Sequence, residues 1–378
     1  MSTPTIIATH AEWTHLCGRL HGMRRIAIDL ESNGLHGYPA RICLMQVAAG
    51  GAAYLVEPRA FGAGDELRKL FADGSLEKIL HSCSYDVRSL YNDYQAVVLG
   101  LFDTAIAAQF LGATRLGLGN VMKEFLGIEL QKSRALQKMD WSIRPLPSEA
   151  VRYAVNDVLH LERLRDHLAK SLEEKGRLDW VREEFTRMEA LRPEPPEPPD
   201  AALLRMKGAQ HLTPRQRAVL REVYLFREQL AHEFDRPPFK VMGNDVLLFL
   251  AKHPHSRLAS VKGLSRWLLA NAQEGLCEAL ARGEHAPPVK PPQQPRFPSL
   301  PWTQKAHQRL DALKTWRTQT AQALNVDPSI LWPMASLERL ALYPDSRGRE
   351  LHDGGNGDVR AWQRATFASV IEALPLWS

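Results

Sequence analysis

Two carboxylates, Asp29 and Glu31, stand two residues apart at the end of the apolar run 25–30, RIAIDL. Such a run reads as a buried β-strand, and a strand turns alternate side chains to opposite faces, so both acids emerge on one face. Side by side they repel, and in a buried strand they are costly unless a cation compensates them. The plain alternative is an exposed edge strand with two solvated acids. A third carboxylate, Asp86, follows the strand-like stretch 78–81 and falls in the first turn of a helix. That is where α/β proteins build sites, and also where an aspartate simply offsets the helix dipole. Tyr153 and Asp157 lie four residues apart in a strongly periodic stretch, hence one helical turn apart on one face. A tyrosine hydroxyl beside a carboxylate can orient a water or take part in proton transfer. A solvated surface pair would have the same spacing.

These residues need a sheet and helices to bring them together. Strands are expected at 25–30, 41–48, 52–57 and 78–81, with Gly50-Gly51 turning the second into the third. Helical periodicity then dominates at 85–94, 104–111, 118–126 and 149–172. Adjacent strands followed by strand–helix alternation imply an α/β domain with a mixed sheet flanked by helices. Two proline-rich stretches follow: 192–200 holds five prolines in nine residues, and 287–301 holds seven in fifteen. Both should be extended, semi-rigid spacers across which few contacts pass. They divide the chain into 1–191, 201–286 and 302–378. The two later segments read as all-helical. Trp316, Arg317 and Ala321 echo Phe226, Arg227 and Ala231 at equal spacing, as a divergent repeat would.

The net charge of +5 permits a polyanionic partner. It is unevenly spread: residues 1–200 carry 24 Lys+Arg against 27 Asp+Glu, and 201–300 carry 15 against 8. An acidic front and a basic middle fit a cation site with a separate nucleic-acid handle. Cys17, Cys43, Cys83 and Cys277 form no Cys-x-x-Cys pair, which argues against a zinc knuckle and suits a reducing cytosol. Residues 1–10 lack a signal-peptide pattern, and no run of 18 apolar residues exists. The expectation is a cytoplasmic protein with no membrane span. No Gly-x-x-x-x-Gly-Lys-Ser/Thr loop is present, so neither a nucleotide cofactor nor an ATP-driven helicase is expected.

In combination the motifs are far more specific than singly. Asp-x-Glu on a first strand, Asp after a later strand and Tyr-x-x-x-Asp on a late helix resemble the DEDD exonuclease superfamily in its tyrosine variant. Tyr38-Pro39, Leu44, Gln46, Leu101-Phe102-Asp103-Thr104, Asp140-Trp141 and Arg144-Pro145-Leu146 are similar to the ribonuclease D family within it. Pro238-Phe239, Asn244, Pro254 and Lys262-Gly263 resemble an HRDC domain. The resemblance implies a ribonuclease H-like exonuclease domain at 1–191, an HRDC domain at 201–286 and a second, degenerate HRDC-like domain at 302–378. It implies 3′–5′ trimming of RNA with a free 3′ end, transfer-RNA precursors above all, releasing nucleoside 5′-monophosphates. Two divalent cations, Mg²⁺ or Mn²⁺, would be held by Asp29, Glu31, Asp86 and Asp157, with Tyr153 orienting the water. A DNA exonuclease and a non-catalytic RNA-binding module stay open as alternatives. Lys132, Arg134, Lys138, Arg144, Lys240 and Lys262 are the candidate phosphate contacts. The family's aromatic residue after the motif glutamate is Ser32 here, which leaves Leu35, His36 or Tyr38 to replace it. His81 reads equally as a satisfied core histidine and is left out of the ligand set.

Overall fold

The computed structural model of the chain describes residues 4–131, 133–195, 197–290, 302–354 and 356–377. Its strands are β1 (Thr5–Ile7), β2 (Arg25–Ser32), β3 (Ile42–Ala49), β4 (Ala52–Val56), β5 (Glu77–Leu80) and β6 (Leu101–Asp103). Among the described residues they form one six-stranded sheet in the order β1-β4-β3-β2-β5-β6. β2, β3 and β4 make an antiparallel meander, β1 lies parallel to β4, and β5 and β6 extend the sheet parallel to β2. β2 is therefore central, and the edge-strand alternative for Asp29 and Glu31 is excluded. β1 and β6 are too short to show a pattern in sequence.

Helices α1 (His10–Leu20), α2 (Pro58–Phe61), α3 (Gly64–Ala72), α4 (Ser84–Tyr94), α5 (Thr104–Phe110), α6 (Leu118–Leu126), α7 (Ser148–Leu159), α8 (Leu161–Glu174) and α9 (Leu178–Glu189) cover the sheet. Ile26 and Ile28 point to one face and pack with Trp13, Leu16, Phe71 and Leu90 of α1, α3 and α4. Ala27, Ala48, Ile79 and Phe102 point to the other, under α5, α6, α8 and α9. This second face also carries Asp29 and Glu31, because they alternate with Ile28 and Leu30. The helix expected at 149–172 breaks at His160 (φ −106°, ψ 0°), which separates α7 from α8.

Beyond the first spacer come α10 (Pro199–Arg205), α11 (Pro214–Glu233), α12 (Pro238–Val241), α13 (Asn244–Lys252) and α14 (Arg266–His285). The second spacer falls outside the described residues from 291 to 301. After it come α15 (Gln304–Leu324), α16 (Pro328–Leu331), α17 (Met334–Leu342), α18 (Arg347–Leu351) and α19 (Ala361–Glu372). The repeat seen in sequence has a structural counterpart. Arg227 donates to the carbonyl of Met242 just after α12, and Arg317 to that of Trp332 just after α16, each 15 residues on.

The spacers do not isolate these segments. α19 packs on α9, where Trp180 and Trp362 stack and Arg360 pairs with Glu184 at 2.9 Å. Arg177 donates to the carbonyls of Phe110 and Leu324. At Gly112, in the left-handed region (φ 101°), a Cβ would stand 2.5 Å from the carbonyl oxygen of Asn325, so only glycine permits this approach. Trp316, Leu331 and Trp362 thus share one core with Phe102, Val121 and Leu164. The middle segment touches the β2–β3 connection: the Tyr38 hydroxyl donates to Glu228 at 2.7 Å and the Tyr38 amide to Asp235 at 2.7 Å. The expectation that few contacts cross the proline-rich stretches is therefore overturned: the apolar faces of α9 and α19 decide the packing. Among the described residues no helix is long and apolar enough to cross a membrane.

Candidate active site

Three elements converge at the C-terminal end of β2. β2 supplies Asp29 and Glu31, and its ladder with β3 is irregular between Glu31 and Ser32, just past the acids. α7 supplies Tyr153 and Asp157. It starts directly after Pro145-Leu146-Pro147, has Glu149 in its first turn, and buries Ala150, Ala154, Val155 and Val158. Small alanines let the helix lie close over the strands, which brings Asp157 down to β2. Carboxylate oxygens of Asp29, Glu31 and Asp157 all lie within 4.8 Å of one another.

α4 supplies Asp86 in its first turn. Its position depends on Asp103, a residue whose role the sequence did not reveal. Asp103 is 1% exposed. Its carboxylate accepts from the amides of Ser82 (3.0 Å) and Cys83 (2.8 Å), and from Ala105 (2.8 Å) at the start of α5. One buried side chain therefore pins the turn before α4, where Ser82 is left-handed (φ 58°), to the end of β6. The pattern Asp103-Thr104 before an apolar helix was a legible N-cap signal; the second loop it holds was not.

The cluster's electrostatics follow from its crowding. Burial, then the charge of its neighbours, pushes the Glu31 carboxyl up to about 9 and Asp157 up to about 8, with the Tyr153 hydroxyl opposing the rise at Asp157. Burial raises Asp29 to about 7. Asp86 is raised by burial and then by the charges of Asp29 and Asp103. The Tyr153 phenol is raised by burial, then by Asp157 and Glu31, and its ring sits 6.2 Å from that of buried Trp141. Among the described residues no lysine, arginine or histidine forms a salt bridge with Asp29, Glu31, Asp86 or Asp157. Four acids pressed together without a basic partner are what a hard-cation site needs and what a purely structural cluster avoids.

The other expected residues separate into two groups. Arg134 and Lys138 are exposed on the loop before α7, and Lys240 and Lys262 on the middle segment. Lys240 Nζ is 3.4 Å from His36 Nδ1, while His36 Nε2 is 2.8 Å from the Lys138 carbonyl. One histidine thus links the backbone of the loop before α7 to the Lys240 ammonium of the middle segment. Arg144 is different: its guanidinium pairs with Glu57 (2.6 Å) and donates to the carbonyls of Cys43, Trp141 and Ile143. Those bonds leave it as the brace of the 140–146 loop instead of a free phosphate contact. Lys132 lies outside the described residues. His81 is engaged at both ring nitrogens, by Thr104 (2.9 Å) and the Leu116 carbonyl (2.7 Å), as a core histidine is.

Of the residues that could replace the aromatic missing at Ser32, Leu35 is exposed, and Tyr85 of α4 also lies beside Ser32. Tyr38 is held by Glu228, and His36 by Lys138 and Lys240. Tyr85, immediately before Asp86, is 55% exposed and places its hydroxyl 3.3 Å from that of Ser32. A groove lined by Ser32, Arg41, Tyr85 and Arg88 adjoins it. A separate cavity of about 560 Å³ opens at the opposite, N-terminal ends of β2, β5 and β6, where Arg165 is already paired with Glu77.

Comparison with known proteins agrees with this geometry. A family model described as 3′-5′ exonuclease matches residues 4–173, and the HRDC domain model matches 216–280. A ribonuclease D of Sphingobium indicum is 30% identical over 79% of this chain and 78% of its own length. The crystal structure of the catalytic core of RRP6 from Trypanosoma brucei, 27% identical, superposes with a TM-score of 0.66 over 75% of this chain and 81% of that one. The Escherichia coli RNase D structure shares the fold over 98% of both chains, at 22% identity and a TM-score of 0.68. The chain therefore belongs to the ribonuclease D family: a 3′–5′ exoribonuclease with an HRDC domain behind its exonuclease domain.

Proposed function

We propose that the enzyme hydrolyses RNA from its 3′ end with two divalent metal ions, Mg²⁺ or Mn²⁺, held by Asp29, Glu31, Asp86 and Asp157. The observation that carries this reading is the approach of the Asp29, Glu31 and Asp157 oxygens to within 4.8 Å, with no salt bridge to any of them among the described residues. When bound, such a pair supplies positive charge to the attacking and leaving oxygens of the phosphodiester. Asp29 would serve both ions, Glu31 and Asp157 would help to hold one, and Asp86 would help to hold the other. Tyr153, against Asp157, orients the water that attacks phosphorus. One water is consumed: its oxygen joins phosphorus, the bond to the preceding 3′ oxygen breaks, and that oxygen takes a proton. A nucleoside 5′-monophosphate and a new 3′ hydroxyl result.

The His36 junction supports a substrate path running from the carboxylates onto the HRDC domain, with Lys138 and Lys240 as phosphate contacts and Arg134 and Lys262 further along it. We read the 302–378 segment as a second, degenerate HRDC-like domain, on the repeated helix order and the Arg227 and Arg317 bonds. Transfer-RNA precursors are the proposed substrates. The test is a nuclease assay on matched RNA and DNA oligomers and an unprocessed transfer RNA, with free and blocked 3′ ends. Cleavage that ignores the 3′ block, or persists in excess chelator, would sink the reading.

A further inference from the structure

Directly opposite Asp29 in the sheet stands Gln46 of β3, with Leu55 of β4 on its other side. Gln46 is 0% exposed. Both ends of its side-chain amide lack a hydrogen-bond partner among the described residues. Buried polar groups are normally paired, and an unpaired one costs stability. The surroundings make this amide stranger still. Leu44, Leu55, Ala150, Ala154 and Val155 form an apolar cluster where α7 crosses β3 and β4. Along its own strand the same face carries Leu44 and Ala48, and of the residues paired with it in the sheet Asp29 alone is polar. A leucine would fill this place without penalty.

Directly opposed residues on neighbouring strands hold their Cβ atoms about 4.5–5.5 Å apart. The two further carbons of a glutamine span that gap. We propose that Gln46 is a positioning residue: its amide N–H donates to the Asp29 carboxylate in the metal-loaded enzyme and fixes the orientation in which that carboxylate binds metal. The inference rests on the metal reading of the site. It assigns the orphaned amide a partner, the carboxylate directly opposite it in the sheet. Groups behind a ligand in this way tune metal affinity without touching substrate.

The test uses the full-length protein and Mn²⁺ as the probe, followed by paramagnetic resonance. Gln46→Leu should bind Mn²⁺ about 10–100-fold more weakly than wild type, the usual effect of losing such a partner. Its melting temperature without metal should equal or exceed that of wild type, because an unpaired buried amide has gone. With Mn²⁺ saturating, its KM for a short oligomer should be unchanged. Gln46→Met, of similar volume and more flexible, should behave alike. Mn²⁺ affinity equal to wild type in a folded Gln46→Leu protein overturns the proposal. Failure of both variants to fold also overturns it, since that would make the amide a structural necessity. A wild-type protein that binds no Mn²⁺ overturns the metal reading itself.

Discussion

Trp180 of α9 and Trp362 of α19 stack with ring centroids 4.6 Å apart and planes 19° from parallel. Phe110 meets Trp362 edge-on at 5.5 Å, so the last helix completes the exonuclease domain's own core. Trp362→Ala should cost about 3–5 kcal/mol, as large aromatic truncations in cores do. A fragment ending near Arg192, which leaves Trp180 and Phe110 uncovered, should melt lower and bind a hydrophobic dye. A fragment that melts as cooperatively and as high as the full chain would show that the third segment is an independent appendage.

Asp29→Asn keeps size and removes one negative charge from the centre of the cluster. Turnover should fall to background while RNA binding is kept or slightly strengthened, since one repelling charge is lost. Filter binding and single-turnover cleavage on the same oligomer check both halves. Near-normal rates in the variant would refute the assignment.

Tyr153→Phe keeps the ring against Trp141 and removes only the hydroxyl. Loss of a group that orients or shuttles a proton typically costs about 10²–10⁴-fold. The drop should appear in kcat with KM little changed. An equal loss through KM would mean that Tyr153 binds substrate.

Metal-free stability should depend on pH in a direction set by the cluster. Asp29, Glu31 and Asp157 keep their protons up to about 7, 9 and 8. In an unfolded chain such groups release theirs near about 4. Between about pH 4 and 9 the native state therefore binds more protons than the unfolded one, and stability falls as pH rises. Chelated protein should melt lower at pH 9 than at pH 6, and Mg²⁺ should restore most of the difference by replacing protons as the compensating charge. Glu31→Gln should flatten the slope. A chelated wild type that gains stability across this window would contradict the cluster's charge balance.

Tyr85 of α4 is exposed and places its hydroxyl 3.3 Å from that of Ser32, the residue that stands where an aromatic was expected. If it stacks on a nucleobase, Tyr85→Ala should weaken oligomer binding by about 1–3 kcal/mol, the usual loss of one base–aromatic contact. Tyr85→Phe should behave as wild type. Unchanged KM in the alanine variant would remove Tyr85 from the substrate path.

That Asp29 and Glu31 share a strand face and Tyr153 and Asp157 a helix face was legible because both periods are local properties, whereas grouping them with Asp86 rested on the family resemblance. The apolar run around Asp29 reads as a buried strand, and β2 is buried on both faces, by Ile26 and Ile28 on one and Ala27 on the other. What lies between elements was not legible. No local pattern says that Asp103 holds two loops, that Arg144 is consumed by Glu57 and three carbonyls, or that Tyr85 reaches Ser32 from another helix. The long-range members of these pairings span 20 to 101 residues and exist only once strands and helices have packed. The first proline-rich stretch is non-helical up to Pro198 among its described residues, but the expectation that few contacts cross the spacers fails, because α19 docks on α9. Composition reports where a chain cannot be helical, whereas docking is decided by which apolar faces remain uncovered, and only the folded chain shows that α9 and α19 cover each other.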